Sequence, residues 1–173
     1  MKRRAIFTAG MLVLLALCSC QRERRTTVEI TGQNVPEFHF RGSGTLAYFA
    51  VYSPTYPADA REPNDLSQAI WLVVPKQDRK PVEKIATVRY GVLPDAYAQE
   101  KPSAGIPEPL VEGKKYYFHI DTRNAPGASG YFEIRAGRAM AVEGEHVCFG
   151  TENGKWVRKP CDAANRSDSS AQR

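Results

Sequence analysis

Lys115-Tyr116-Tyr117-Phe118-His119-Ile120-Asp121 is the stretch on which the fold is decided. Tyr116, Phe118 and Ile120 alternate with Tyr117, His119 and Asp121, and a period of two puts the first set on one face of a β-strand and the second on the other. The period continues downstream, where Phe132 and Ile134 alternate with Tyr131, Glu133 and Arg135. Upstream, Ala86, Val88, Tyr90 and Val92 alternate with Ile85, Thr87 and Arg89. Thr45 to Tyr52 and Gln68 to Val74 are apolar at nearly every position and rich in aromatic and β-branched residues, which predicts strands buried in the middle of a sheet. Thr26 to Ile30 and Glu37 to Arg41 read as shorter strands, the second with Phe38 and Phe40 on one face. Helical periodicity is confined to Asp95-Ala96-Tyr97-Ala98-Gln99, which predicts a single turn capped by Asp95. Seven to nine short strands separated by Gly and Pro predict an all-β fold, an antiparallel sandwich.

Leu110-Val111-Glu112-Gly113-Lys114-Lys115-Tyr116 sharpens that class, because it resembles the loop-to-strand corner of fibronectin type III and immunoglobulin-like domains. There a Leu, a turn Gly and a Tyr three residues later precede the alternating strand, and the resemblance implies that the Tyr116 hydroxyl bonds back to the corner backbone. Asn124 to Gly130 reads like the loop before the last strand of such domains, and Trp71 would be the tryptophan of the core. The chain departs from that pattern in two places. Leu93 to Lys114 is longer than such corners, and the downstream cysteines lie outside the sheet-bridging position of antibody domains.

The first twenty residues read as an address. Met1-Lys2-Arg3-Arg4 is basic, Ala5 to Leu17 is apolar, and Ser19-Cys20 closes the segment with a small residue and a cysteine. Thirteen apolar residues are fewer than the roughly 18 of a spanning helix. Leu17-Cys18-Ser19-Cys20 resembles the lipobox of bacterial lipoproteins, with Cys18 where Ala or Ser is commoner. The competing frame ending at Cys18 puts Leu17 where a small residue belongs, which favours Cys20. The resemblance implies cleavage before Cys20, three acyl chains on it, and, through Gln21, sorting to the outer membrane. The resulting division is a signal over 1–19, a lipidated tether over 20–25, a β-sandwich over 26–162 and a disordered polar tail over 163–173.

This address changes the charge and the cysteine count. The formal net charge of +5 includes Lys2, Arg3 and Arg4; without them 21 basic residues face 19 acidic ones, a balance that does not suit nucleic acid. Cys148 and Cys161 are the cysteines left in an oxidising compartment, and a disulfide between them is expected to contribute about 3 kcal/mol.

Candidate chemistry is sparse. His119 and Asp121 are two apart and share a strand face, as a carboxylate orienting a general base would, but no nucleophile elbow accompanies them. His39, His119 and His146 lack metal-ligand spacing, and no cofactor motif is present. Glu108 and Glu112 are paired carboxylates only in sequence. What remains is loop architecture: in a simple meander, Ser53 to Ser67 and Leu93 to Lys114 emerge at one end of the sandwich, bringing Tyr56, Tyr97, Pro102 and Pro107 together as a contact surface. The leading expectation is a lipid-anchored binding or accessory module for an envelope protein or cell-wall partner. The alternatives are a small envelope hydrolase using His119 and Asp121, and an inhibitor or immunity lipoprotein directed at a periplasmic enzyme.

Overall fold

The computed structural model describes residues 24–56, 64–76, 80–95 and 97–142, and the backbone of 147–152 and 155–160. The elements run β1 (Thr27–Thr31), β2 (Glu37–Arg41), β3 (Thr45–Tyr52), β4 (Ala69–Pro75), the helical turn α1 (Val82–Ile85), β5 (Thr87–Arg89), β6 (Tyr97–Lys101), β7 (Lys115–Arg123), β8 (Ala128–Arg135) and β9 (Arg138–Val142). A three-stranded sheet, β1-β2-β5, faces a six-stranded sheet, β6-β4-β3-β7-β8-β9, and every pairing is antiparallel. β10 (Val147–Glu152) and β11 (Lys155–Pro160) form a two-stranded sheet of their own. The sandwich is of the immunoglobulin and fibronectin III kind. Its first, second and fifth strands lie against a sheet built on the third, fourth, seventh and eighth, and β6 and β9 widen that sheet at its two edges.

The alternating positions of the sequence supply the core. Phe38 lies 4.8 Å from Phe49, 5.7 Å from Phe118 and 5.3 Å from Phe132, ring centroid to centroid, and so joins the two sheets. Trp71 stands edge-on to Phe49 at 5.8 Å and to Tyr90 at 5.1 Å, fully buried as the core tryptophan. Leu46, Val51, Val73, Val88 and Ile120 fill the spaces between the rings. Each such side chain contributes about 1.5–3 kcal/mol by leaving water. The corner forms as the resemblance implies: the Tyr116 hydroxyl accepts the Val111 N–H at 2.8 Å, and its ring stacks on Phe132 at 5.5 Å.

Three expectations are corrected. Ala86 to Val92 is not one strand: α1 ends on Ala86 at φ +56, and only Thr87–Arg89 pairs, with β2. Leu93 to Lys114 is not one loop, because Tyr97–Lys101 forms the edge strand β6 beside β4. The turn capped by Asp95 is replaced by the start of that strand, since Tyr97 gains more by entering the core than a single helical turn would gain from its cap.

The sandwich has two distinct ends. At the entry end the described chain begins at Arg24, which exchanges hydrogen bonds with Ser43 between β2 and β3, while the Thr26 N–H donates to Pro126 O at 3.1 Å between β7 and β8. Lys80 O accepts from Leu46 N–H, and Gly44 O from Val82 N–H, so the segment before α1 belongs to this end too. Gly44 is required here: a Cβ on it would lie 2.8 Å from Thr122 Cβ. The far end carries the β3–β4, β6–β7 and β8–β9 connections.

Candidate functional site

The β6–β7 connection at the far end, residues 102–114, is held by side chains that reach out of the core. Gln99, on β6, accepts the Trp71 indole N–H on Oε1 at 3.1 Å, and its Nε2 donates to Pro102 O and Gly105 O, both at 2.8 Å. One amide thus ties the core tryptophan to the first half of the loop. The Tyr90 hydroxyl donates to Glu108 O at 3.0 Å; burial raises the pKa of this phenol, so it stays protonated as a donor. Pro107 is buried beside Gly91, whose φ of +75 is a backbone conformation that glycine adopts without strain. The corner bond to Tyr116 holds the second half, and Glu112 accepts the Ala136 and Gly137 N–H groups, joining the loop to the β8–β9 turn. The Lys101 ammonium donates to Ser67 O, which brings the β3–β4 connection to the same end.

Between these anchors the loop exposes apolar surface. Ile106 is 80% exposed although its neighbour Pro107 is buried, and Val111 is 55% exposed. An isoleucine held out in water on an ordered backbone gains little for the fold, whereas binding residues are disproportionately found on loops positioned by a rigid scaffold.

The structure divides the predicted contact residues. Pro102 and Pro107 lie on this loop, Pro102 half-buried and Pro107 buried. Tyr56 and Tyr97 are not contact residues, being 2% and 1% exposed. Tyr97 points from β6 into the core between the sheets. Tyr56 folds back over the outer face of the large sheet, stacks on Tyr52 at 4.1 Å and accepts the Asn64 N–H on its hydroxyl at 2.7 Å. Each phenol gains more from covering apolar surface than from standing in water. Glu112, a candidate only by its sequence spacing from Glu108, serves as the acceptor for the β8–β9 turn.

That outer face carries the other candidate chemistry. Tyr52, Tyr56, Tyr117 and Tyr131 form a second apolar cluster with Ala50 and Leu72, and Tyr117 donates to Asn64 Oδ1 at 3.2 Å. His119 and Asp121 share this face, as their spacing predicts; the β7 register sets Asp121 opposite Tyr48 and His119 between Ala50 and Ser129. The His119 ring lies 5.6 Å from that of Tyr48. Burial lowers the His119 pKa to about 4, against a smaller opposing effect of Asp121, so the ring is neutral at pH 7. Burial, with Asp121 second, pushes Tyr48 up to about 12. The His119 Nδ1 is buried without a hydrogen-bond partner, so the orienting bond that a His–carboxylate general base requires at that atom is not made.

His39, on the small sheet, is fully occupied: Thr31 and Thr87 hydroxyls lie 2.7 and 2.9 Å from its two nitrogens. Among the described residues no three His, Cys, Asp or Glu side chains are grouped to hold a metal, and no helix is long and apolar enough to cross a membrane. Cys20 and Cys161 lie outside the described residues; Cys148 sits on β10 opposite Lys159.

No protein-family model, curated protein or solved structure matches the chain.

Proposed function

We propose that the chain is a lipid-anchored binding module of the bacterial envelope that presents the 102–114 loop to an envelope protein or a cell-wall partner. The observation that carries this reading is Ile106, 80% exposed on a loop fastened at both halves by Gln99, Tyr90 and Tyr116. A loop ordered before binding loses less conformational entropy on docking, so a modest apolar contact yields useful affinity. Acylation of Cys20 would hold the module at a membrane, since stable anchoring takes more than one chain. An inhibitor of an envelope enzyme is the same geometry with an enzyme as the partner. The hydrolase reading has no comparable support, because burial makes His119 a weak base and the ring lacks its orienting bond at Nδ1.

The test is crosslinking in intact cells with a photoreactive residue in place of exposed Ala104, on the same loop just before Ile106. A discrete adduct is expected, and Ile106→Asp should abolish it. An adduct pattern that Ile106→Asp leaves unchanged would remove this loop from the account.

A further inference from the structure

The entry end differs in charge from the rest of the surface. Arg24, Arg25, Arg41, Lys76, Lys80, Lys84 and Arg123 are all exposed there, whereas the exposed acids at or beside this end among the described residues are Glu83, Asp95 and Glu29, the last 3.9 Å from Arg41. Among the described residues, seven cations against three anions leave the end positive even with Arg24 paired to Glu83 at 3.0 Å and Arg41 to Glu29 at 3.9 Å. The concentration is topological in origin: the register places Arg123 opposite Thr45, Pro81 bridges to Thr45, and Lys76 follows Pro75 beside Tyr97. At the far end the two signs interleave. Arg89 lies 3.9 Å from Glu37 and Arg135 2.5 Å from Glu133, while Glu100, Glu108 and Glu112 accompany Lys101 and Lys114.

The position of this patch relative to the anchor identifies its occupant. Arg24 is bonded to Ser43 and so already belongs to the fold, leaving only four residue steps back to Cys20. Four residues span at most about 14 Å when fully extended. The Debye length is about 8 Å at physiological ionic strength, so Arg24, where the tether enters this end, is held within less than two Debye lengths of any surface that holds Cys20.

We propose that this end of the domain docks flat on anionic phospholipid headgroups, with Lys80, Lys84 and Arg123 seated among the phosphates and the 102–114 loop directed away from the bilayer. The proposal rests on the acylated Cys20 of the preceding reading. Basic side chains beside an anchored segment each add attraction to an anionic leaflet, and several of them orient the domain instead of merely retaining it.

The full protein, purified as cells make it, is reconstituted into neutral phosphatidylcholine vesicles and into vesicles with 30% phosphatidylglycerol; vesicle recovery and amide hydrogen exchange are then measured. Recovery is expected in both lipids through the acyl chains. Exchange over 80–86 and 123–127 should slow at least about threefold in the anionic vesicles only, an effect reversed at high salt. Lys80→Glu/Lys84→Glu/Arg123→Glu should abolish that difference while retaining recovery. Lys114→Glu/Arg135→Glu/Arg138→Glu, an equal change of net charge at the far end, should preserve it. Recovery in both lipids with identical exchange would overturn the docking alone. Protection that appears equally in neutral vesicles would assign the patch to contacts between copies of the chain, and would also overturn it. Failure of recovery in both lipids would overturn the anchor and the docking together.

Discussion

The two ends of this sandwich are closed by different means. At the entry end the connections are closed mainly by backbone bonds, with Thr26 tied to Pro126, Leu46 to Lys80 and Val82 to Gly44, and the long side chains left in solvent are mostly cationic. At the far end the backbone of 102–114 depends on side chains, above all Gln99, Tyr90 and Tyr116, and an isoleucine is left in solvent. Under the proposed reading the difference separates two tasks. A surface that meets lipid headgroups needs charge and tolerates loose geometry, whereas a surface that meets one partner needs a fixed shape with apolar contact at its centre.

The largest expected effect falls at the entry end and is all-or-none. Cys20→Ala should abolish incorporation of labelled fatty acid into the protein, and Cys18→Ala should leave it intact. Acylation found at Cys18 by mass spectrometry would reassign the anchor.

Next in size is an effect that should not distinguish the ends. His119 has a folded pKa of about 4 against 6.5 when unfolded, so the unfolded chain binds the extra proton first. Stability is therefore intact above about pH 6.5 and lost as pH falls toward 4, by at most about 3 kcal/mol. Urea titrations across this window should show the loss, and His119→Gln should flatten it. If hydrogen exchange at low pH accelerates at one end only, the two ends are not one cooperative unit.

Much of this contrast was legible in the sequence only as fold. The alternation through β7 named the sandwich, because alternation is a local signal, and the resemblance of the Leu110-to-Tyr116 corner implied the Tyr116 bond. β6 left no such signal. Tyr97-Ala98-Gln99-Glu100-Lys101 is mostly polar because an edge strand needs few apolar anchors, and nothing in the sequence says that Gln99 turns inward to meet Trp71. The burial of Tyr56 depends on a fold-back of the β3–β4 connection over the outer face, a long-range event that loop composition cannot encode. The proposed contact residue therefore had to be sought by exposure, which moved it from the two tyrosines to Ile106.

A smaller effect sharpens the contrast. Tyr116→Phe keeps the ring on Phe132 but frees the Val111 N–H, at a cost of about 1 kcal/mol. Exchange should accelerate over 105–113 and stay unchanged over 80–86, and crosslinking from position 104 should fall. Equal acceleration at both ends would mean that the corner supports the whole domain and not the loop.

The smallest expected effect on the fold carries the central claim. Ile106 is 80% exposed, so Ile106→Asp should change the unfolding free energy by no more than about 0.5 kcal/mol. Its effect on binding should be large, since the centre of a contact patch dominates affinity. The decisive measurement is the in-cell adduct from the photoreactive residue replacing Ala104 in the Ile106→Asp protein, taken beside its thermal melt. An unchanged melt and no adduct are expected; an unchanged melt with the adduct retained would show that Ile106 is not the contact residue.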